Sequence, residues 1–303
     1  MDKRKQGIAL FITLMVIASI MSILAVSFTY LDKAKKDAGI TSALIQGNLL
    51  YKNTSMVLKR FFPEGANNTE KLKLIYTLPL MLTEPKSGFT ISISCKPLMV
   101  AVPINWLNEG FTKKIPERNS LAEDTLMSVM DLYDIREPNE LKNMIVKSII
   151  NRDEENSDYR PRVKKRRGVF SYKQFERLIM NYRLTFDDPN VLKVPWEKYF
   201  SYTTVNEDTK IDGVFLTPEF ISIAFDIPIE IVKDSWKMGE TTLKNFFNEN
   251  SIVVTLNKKM YAEKSVNAMH CEESYVYKEQ YYKFNFDYIE GRSGNFEFNG
   301  EEQ

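Results

Sequence analysis

The side chains that invite a chemical reading sit in a few places. His270, the single histidine, adjoins Cys271 in AMHCEE, the pairing a Cys/His nucleophile would need. Adjacent residues on a strand point to opposite faces. The sequence also offers no Gly-rich phosphate loop and no G-x-S-x-G elbow to supply the rest of an active site, so no catalytic residue is expected. Asp153, Glu154, Glu155 and Asp158 crowd hard oxygen ligands of the type that hold calcium. They lack an EF-hand loop, which favours a solvated acidic turn over a calcium site. Directly after them, RPRVKKRRG brings together Arg160, Arg162, Lys164, Lys165, Arg166 and Arg167. Such a run grips phosphates without reading bases, or forms a solvated loop that offsets the acidic turn. No aromatic side chain interleaves it, which argues against a single-strand stacking platform. Cys95 and Cys271 have neither CxxC nor metal-type spacing. They admit one disulfide, and two reduced cysteines on separate strands would look the same.

Composition sets the frame for these groups. The chain has 303 residues, 41 basic against 40 acidic side chains, and 44% hydrophobic content, enough for one large domain or two modest ones. The near-zero net charge gives no global argument for nucleic acid. Twelve Gly and twelve Pro are too few for a collagen-like repeat or a long low-complexity linker.

The elements that must position these residues begin with an apolar segment. After the charged leader MDKRKQG, about 24 uncharged residues run from Ile8 to Leu31, and a helix of that length spans roughly 36 Å, enough to cross a bilayer core. It is too long for the core of a cleaved secretory signal. Beyond Leu31, Ile40, Leu44, Tyr51, Leu58 and Phe61 keep an amphipathic helical spacing, weakened at Gly39 and Gly47 and ended at Pro63. Phe89, Ile91 and Ile93 alternate as a strand, and residues 100–108 read as a second strand or an extended arm, since Pro103 would confine a strand to an edge. From Pro116 to about Asn248 the texture is helical. Ser120 with Glu123 reads as a capping box, Pro138 opens a helix, Ser171 opens another, and Thr217-Pro218 starts a third. Residues 251–257 and 279–290 read as strands, the latter on the alternation of Tyr282, Phe284, Phe286 and Tyr288. The polar stretch from Gly291 to Gln303 is expected to fray.

A short basic leader ending in Gly7, followed at once by the apolar helix from Ile8 and then an amphipathic continuation, resembles the class III signal of type IV pilins and type II secretion pseudopilins. The resemblance implies cleavage between Gly7 and Ile8 by a prepilin peptidase and methylation of the new terminus at Ile8. Most family members carry Glu as the fifth mature residue, where this chain has Ile12. A buried carboxylate in lipid costs about 2.5–3.5 kcal/mol unless a neighbouring subunit's amine meets it. A subunit with no neighbour ahead needs none. An apolar fifth residue is similar to the K-type minor pseudopilin, the tip subunit of type II secretion.

The order of helices fits the same type, which carries a helical domain inserted between strands; Val205-Asn206 and Ile211-Asp212 approximate its Asn-rich strand-turn motif. The implied fold class is α+β, a pilin-like long N-terminal helix packed on an antiparallel sheet with a large helical domain inserted between strands. The implied divisions are leader 1–7, transmembrane helix 8–31, pilin-like domain 32–115 with 249–303, and insert 116–248. Implied partners are other minor pseudopilins, the inner-membrane assembly platform, prepilin peptidase and membrane lipid, with the chain single-pass in the inner membrane and its C-terminal domain periplasmic. Related pseudopilins bind calcium in their soluble domains. A related DNA-uptake or type IV pilus machine is the alternative, with Lys164 to Arg167 on DNA. A plain anchored periplasmic domain is the third reading.

Overall fold

The computed structural model describes residues 3–63, 68–83, 90–150, 168–277 and 280–299. Its first element is helix α1, Lys3–Phe61, whose 59 residues make a rod of about 88 Å. Nothing in the sequence interrupts it before Pro63, and Lys59 and Arg60 in its last turn complement the negative end of the helix dipole. Its distal half packs through Ala43, Leu50, Thr54, Leu58 and Phe62, a face turned slightly from the one the apolar residues predict. Leu44 and Phe61 stay 36% and 48% exposed. Gly47 lies at the centre of the true contact. A Cβ there would stand 3.0 Å from the Tyr275 hydroxyl and within 3.6 Å of the Phe284 and Phe298 rings, so the residue that weakens the helix locally is also what lets it approach.

The surface it approaches is an antiparallel sheet. Helix α2 (Thr69–Thr77) leads into β1 (Leu80–Thr83) and β2 (Thr90–Pro97). The chain returns much later as β5 (Ala268–Tyr277), β6 (Gln280–Ile289) and β7 (Arg292–Asn299), giving the order β1-β2-β5-β6-β7. Period-two patterning puts Ile93 and Cys95 of β2, Cys271 and Tyr275 of β5, and Tyr282, Phe284, Phe286 and Tyr288 of β6 into one core with α1 and α2. The expected fraying after Gly291 is corrected: residues 292–299 form β7. Glu290 and Gly291 both take positive φ (43° and 79°), the geometry of a two-residue hairpin turn, and Phe296 and Phe298 pack on the core.

Between β2 and β5 lie β3 (Val102–Pro103), α3 (Glu109–Thr112), α4 (Glu117–Leu132), α5 (Pro138–Ile150), α6 (Tyr172–Phe186), β4 (Phe200–Ser201), α7 (Pro218–Phe225), α8 (Ile229–Ser235) and α9 (Leu243–Glu249). Residues 100–108 do not join the main sheet. Val102–Pro103 pairs in parallel with β4, and the chain then turns through a buried 3-10 helix, Ile104–Leu107. Residues 251–257 are not a strand either. Both flanks of β5 are taken by β2 and β6, and the segment instead lays Ile252 and Leu256 against the helices. The Ser120 cap is also corrected, because α4 starts at Glu117 behind Pro116 and Ser120 lies inside it. Ser171 and Thr217 do cap α6 and α7, each hydroxyl accepting an N–H at 3.3 Å from Gln174 and Phe220.

The helices close over their own core, which holds Trp106, Trp196 and Trp236 and reaches beyond residues 116–248 to Ala101–Leu107, Met260 and Tyr261. Conversely, Val214 and Phe215 leave the helical region to join the core beneath α1. The fold is α+β and pilin-like: a long N-terminal helix laid on an antiparallel sheet, with helices between β2 and β5.

Candidate functional site

The feature with a function to explain is α1 and the way the rest of the chain grips it. Between Thr13 and Phe61 the helix contains an 18-residue stretch of mean hydropathy 2.2 with none of it buried, so it is long and apolar enough to cross a membrane. Its hydroxyls fit such a setting. Ser19, Ser22, Ser27 and Thr29 each donate to the carbonyl four residues back, at 2.8–2.9 Å, which removes their need for water in an apolar medium. Gly7, Ile8 and Ile12 lie on α1, with the backbone helical through the expected Gly7–Ile8 junction.

The grip on the distal half is built from polar contacts set into the apolar core. Tyr275 on β5 donates to the Ala43 carbonyl across the gap that Gly47 leaves open. Tyr51 meets the Phe286 ring edge-on at 5.3 Å and Phe296 at 5.1 Å. Ser55 and Ser293 share a hydrogen bond of 2.6 Å. Thr54 donates to Glu273 at 2.8 Å, and Glu273 is wholly buried. Burial pushes its carboxyl up to about 7, opposed by the Thr54 hydrogen bond.

Cys95 and Cys271 are brought together. They face each other in the β2–β5 register with Cα atoms 4.1 Å apart, and their sulfurs are bonded. Cys271 therefore has no thiol to offer His270. His270 lies on the opposite face, with Nδ1 2.7 Å from Oδ1 of the buried Asp287, whose other oxygen accepts from Asn295 at 2.6 Å. The acidic group Asp153, Glu154, Glu155 and Asp158 and the basic group Lys164, Lys165, Arg166 and Arg167 fall outside the described residues. Among the described residues, no cluster of three or more His, Cys, Asp or Glu is placed to hold a metal.

The strand-turn segment around Asp212 shows what its residues do structurally. Ile211 pairs with Tyr261, and Asp212, buried, accepts N–H donors from Val214 at 2.6 Å, Phe215 at 2.9 Å and Val266 at 2.7 Å. Gly213 is required beside it, since a Cβ would come within 2.2 Å of the Ala262 carbonyl oxygen. Asp212 thus ties the helical region to the chain entering β5. Burial lifts its carboxyl to about 6 despite these donors.

No protein-family model matches the chain, and no curated protein matches it. Similarity to solved structures is also found. Among the similar structures is a chain of the GspK-GspI-GspJ complex from the type 2 secretion system of enterotoxigenic Escherichia coli, with 11% identity and a TM-score of 0.48, covering 86% of this chain and 99% of that chain.

Sequence reasoning missed Glu273 and Asp212 as anchoring groups. A carboxylate in an isolated sequence reads as exposed. The signal was weak but present for Glu273, which falls in phase with Cys271 and Tyr275 on the buried face of β5.

Proposed function

We propose that this chain is a minor pseudopilin of the K type, inserted through α1, processed between Gly7 and Ile8, and placed at the tip of a type II secretion pseudopilus. The observation that carries the reading is α1 itself. One unbroken helix presents a bare apolar half and lays its other half on an antiparallel sheet, which is the form a subunit needs to sit in a membrane and then pack into a filament. The mechanism is assembly. The apolar half supplies membrane anchorage and then subunit packing, while the polar-anchored half carries the sheet and the helices outward.

Two features support the tip position. Ile12 leaves no carboxylate seeking the amine of a subunit ahead. The helices inserted between β2 and β5 add bulk that a thin repeating shaft would have to accommodate at every subunit. The proposed partners are other minor pseudopilins, the inner-membrane assembly platform and prepilin peptidase, with the sheet and helices on the periplasmic side.

Mass analysis of the N-terminus of the membrane-extracted protein tests the reading. A methylated Ile8 terminus is expected, and an intact Met1 would overturn it. Crosslinking that finds the protein along the whole filament would remove the tip position while leaving the processing intact.

A further inference from the structure

Glu273 is a group in the α1–sheet contact whose chemistry the proposed assembly role leaves unused. It sits mid-strand on β5, fully buried, and its surroundings are almost entirely apolar. Across the strands its register partners are Ile93 of β2 and Phe284 of β6, and its same-face neighbours along β5 are Cys271, held in the disulfide, and Tyr275. From α1 it receives the Thr54 hydroxyl on Oε2 at 2.8 Å, while Oε1 has no hydrogen-bond partner. The charged residues of α1 along this stretch, Lys52, Lys59 and Arg60, all point outward and are exposed. The other titratable groups on this face of the sheet are phenols, with Tyr275 beside Glu273 and Tyr282 stacked on Tyr275. No cation among the described residues is placed to neutralise an ionised Glu273.

A carboxylate in such a place is expensive when charged and tolerable when protonated. The charged form leaves the Oε1 acceptor unmet in an apolar core. We infer that Glu273 is a proton-operated latch between α1 and the sheet: protonated, it holds the helix docked; ionised, it favours parting of the two.

The sign follows from linkage. The docked carboxyl is raised, from 4.5 to about 7, by burial, so the docked state binds its proton more tightly than an opened state that exposes the group to water. Docking is therefore fully favoured below the exposed value. It weakens as pH climbs toward about 7, and changes little beyond. The latch concerns contact within the chain and does not depend on which filament the chain joins. What it adds to an assembling subunit is a helix that releases from its sheet more readily where protons are scarce.

Hydrogen exchange of the full-length protein in detergent tests this, reading the opening of α1 residues 43–62 after correction for intrinsic exchange. Between pH 5.5 and 8.0 the opening equilibrium of the wild-type chain should rise on the order of 20-fold. Glu273→Gln keeps the shape, removes the charge, and should abolish that rise while leaving protection high at both pH values. Thr54→Val removes the one hydrogen bond that favours the ionised form and should move the transition to higher pH. This second variant reports even if Glu273→Gln folds poorly. A wild-type chain whose α1 protection is flat with pH, a Glu273→Gln chain that keeps the wild-type rise, or a Thr54→Val transition that stays put or moves down would each overturn the latch.

Discussion

The disulfide between Cys95 and Cys271 closes a chain segment with a sequence separation of 176, and how much it stabilises the protein depends on what stays folded when the sheet lets go. If both cores melt together, the whole segment is freed, and chain entropy assigns the bridge about 5 kcal/mol. If the helical core persists, it already holds Ala101, Met260 and Tyr261 within one packed cluster. The bridge then closes only the short connections on either side, roughly 15 residues in all, worth about 3 kcal/mol. The second case is expected, because the two cores have largely separate memberships. The three tryptophans, Trp106, Trp196 and Trp236, all lie in the helical core, so tryptophan emission reads that core alone, while tyrosine near-UV dichroism reads both cores, through Tyr182, Tyr199, Tyr202 and Tyr261 in the helical one and Tyr275, Tyr282 and Tyr288 under the sheet. Cys95→Ala with Cys271→Ala, in the full-length chain in detergent, should shift the sheet's part of the tyrosine-detected urea transition down by about 1–3 M, given the usual dependence on urea, and so split it from the part that follows tryptophan. The tryptophan midpoint should stay in place. A common shift in both signals would show that the cores unfold as one unit, and no shift in either would refute the entropic reasoning.

Further outcomes follow from the α1 contact and the Asp212 tie. Gly47→Val should destabilise the chain by about 1–3 kcal/mol by overpacking against Tyr275, Phe284 and Phe298, whereas Gly39→Ala, with open space around it, should stabilise α1 by up to about 1 kcal/mol; thermal melts of the pair separate packing from helix propensity. Asp212→Ala strands three buried N–H donors and should cost about 3 kcal/mol or more, detected as loss of protease resistance at residues 258–267. Asp212 also makes stability pH-dependent. Its folded carboxyl is raised, to about 6, so its contribution is greatest below its unfolded value near 3.8 and falls as pH rises through about 6. Comparing urea midpoints of wild type and Asp212→Asn at pH 4 and 7 checks that slope.

The large features were legible because they rest on period and length. The uncharged run from Ile8, the alternation through β6, and the Ser171 and Thr217 caps each carry their signal within a few residues. What was hidden depends on partners distant in sequence. The face of α1 was read from its apolar side chains, but its centre is Gly47, which apolar counting cannot score. Residues 251–257 have the β-branched composition of a strand, but both flanks of β5, the strand they lead into, are taken by β2 and β6, so propensity lost to topology. In β7 the alternation of Phe296 and Phe298 was present but outweighed by the polar residues around it. Ile12 and the Gly7–Ile8 junction are patterns of the sequence, which the structure places on α1, whereas Glu273 and Asp212 acquire meaning only once burial strips them of water.

The strand order also has a consequence in time. The strands that cover α1 most closely, β5, β6 and β7, follow it by roughly 200 residues, and a ribosome adding about 5–20 residues per second needs roughly 10–40 s to reach them. During that interval the stripe of Ala43, Leu50, Leu58 and Phe62 has no sheet to rest on, although the helical region, made earlier, can begin to close on its own tryptophans. A newborn chain therefore carries this helix half-dressed. It is in that window that a holding factor, or the membrane surface itself, would have most to do.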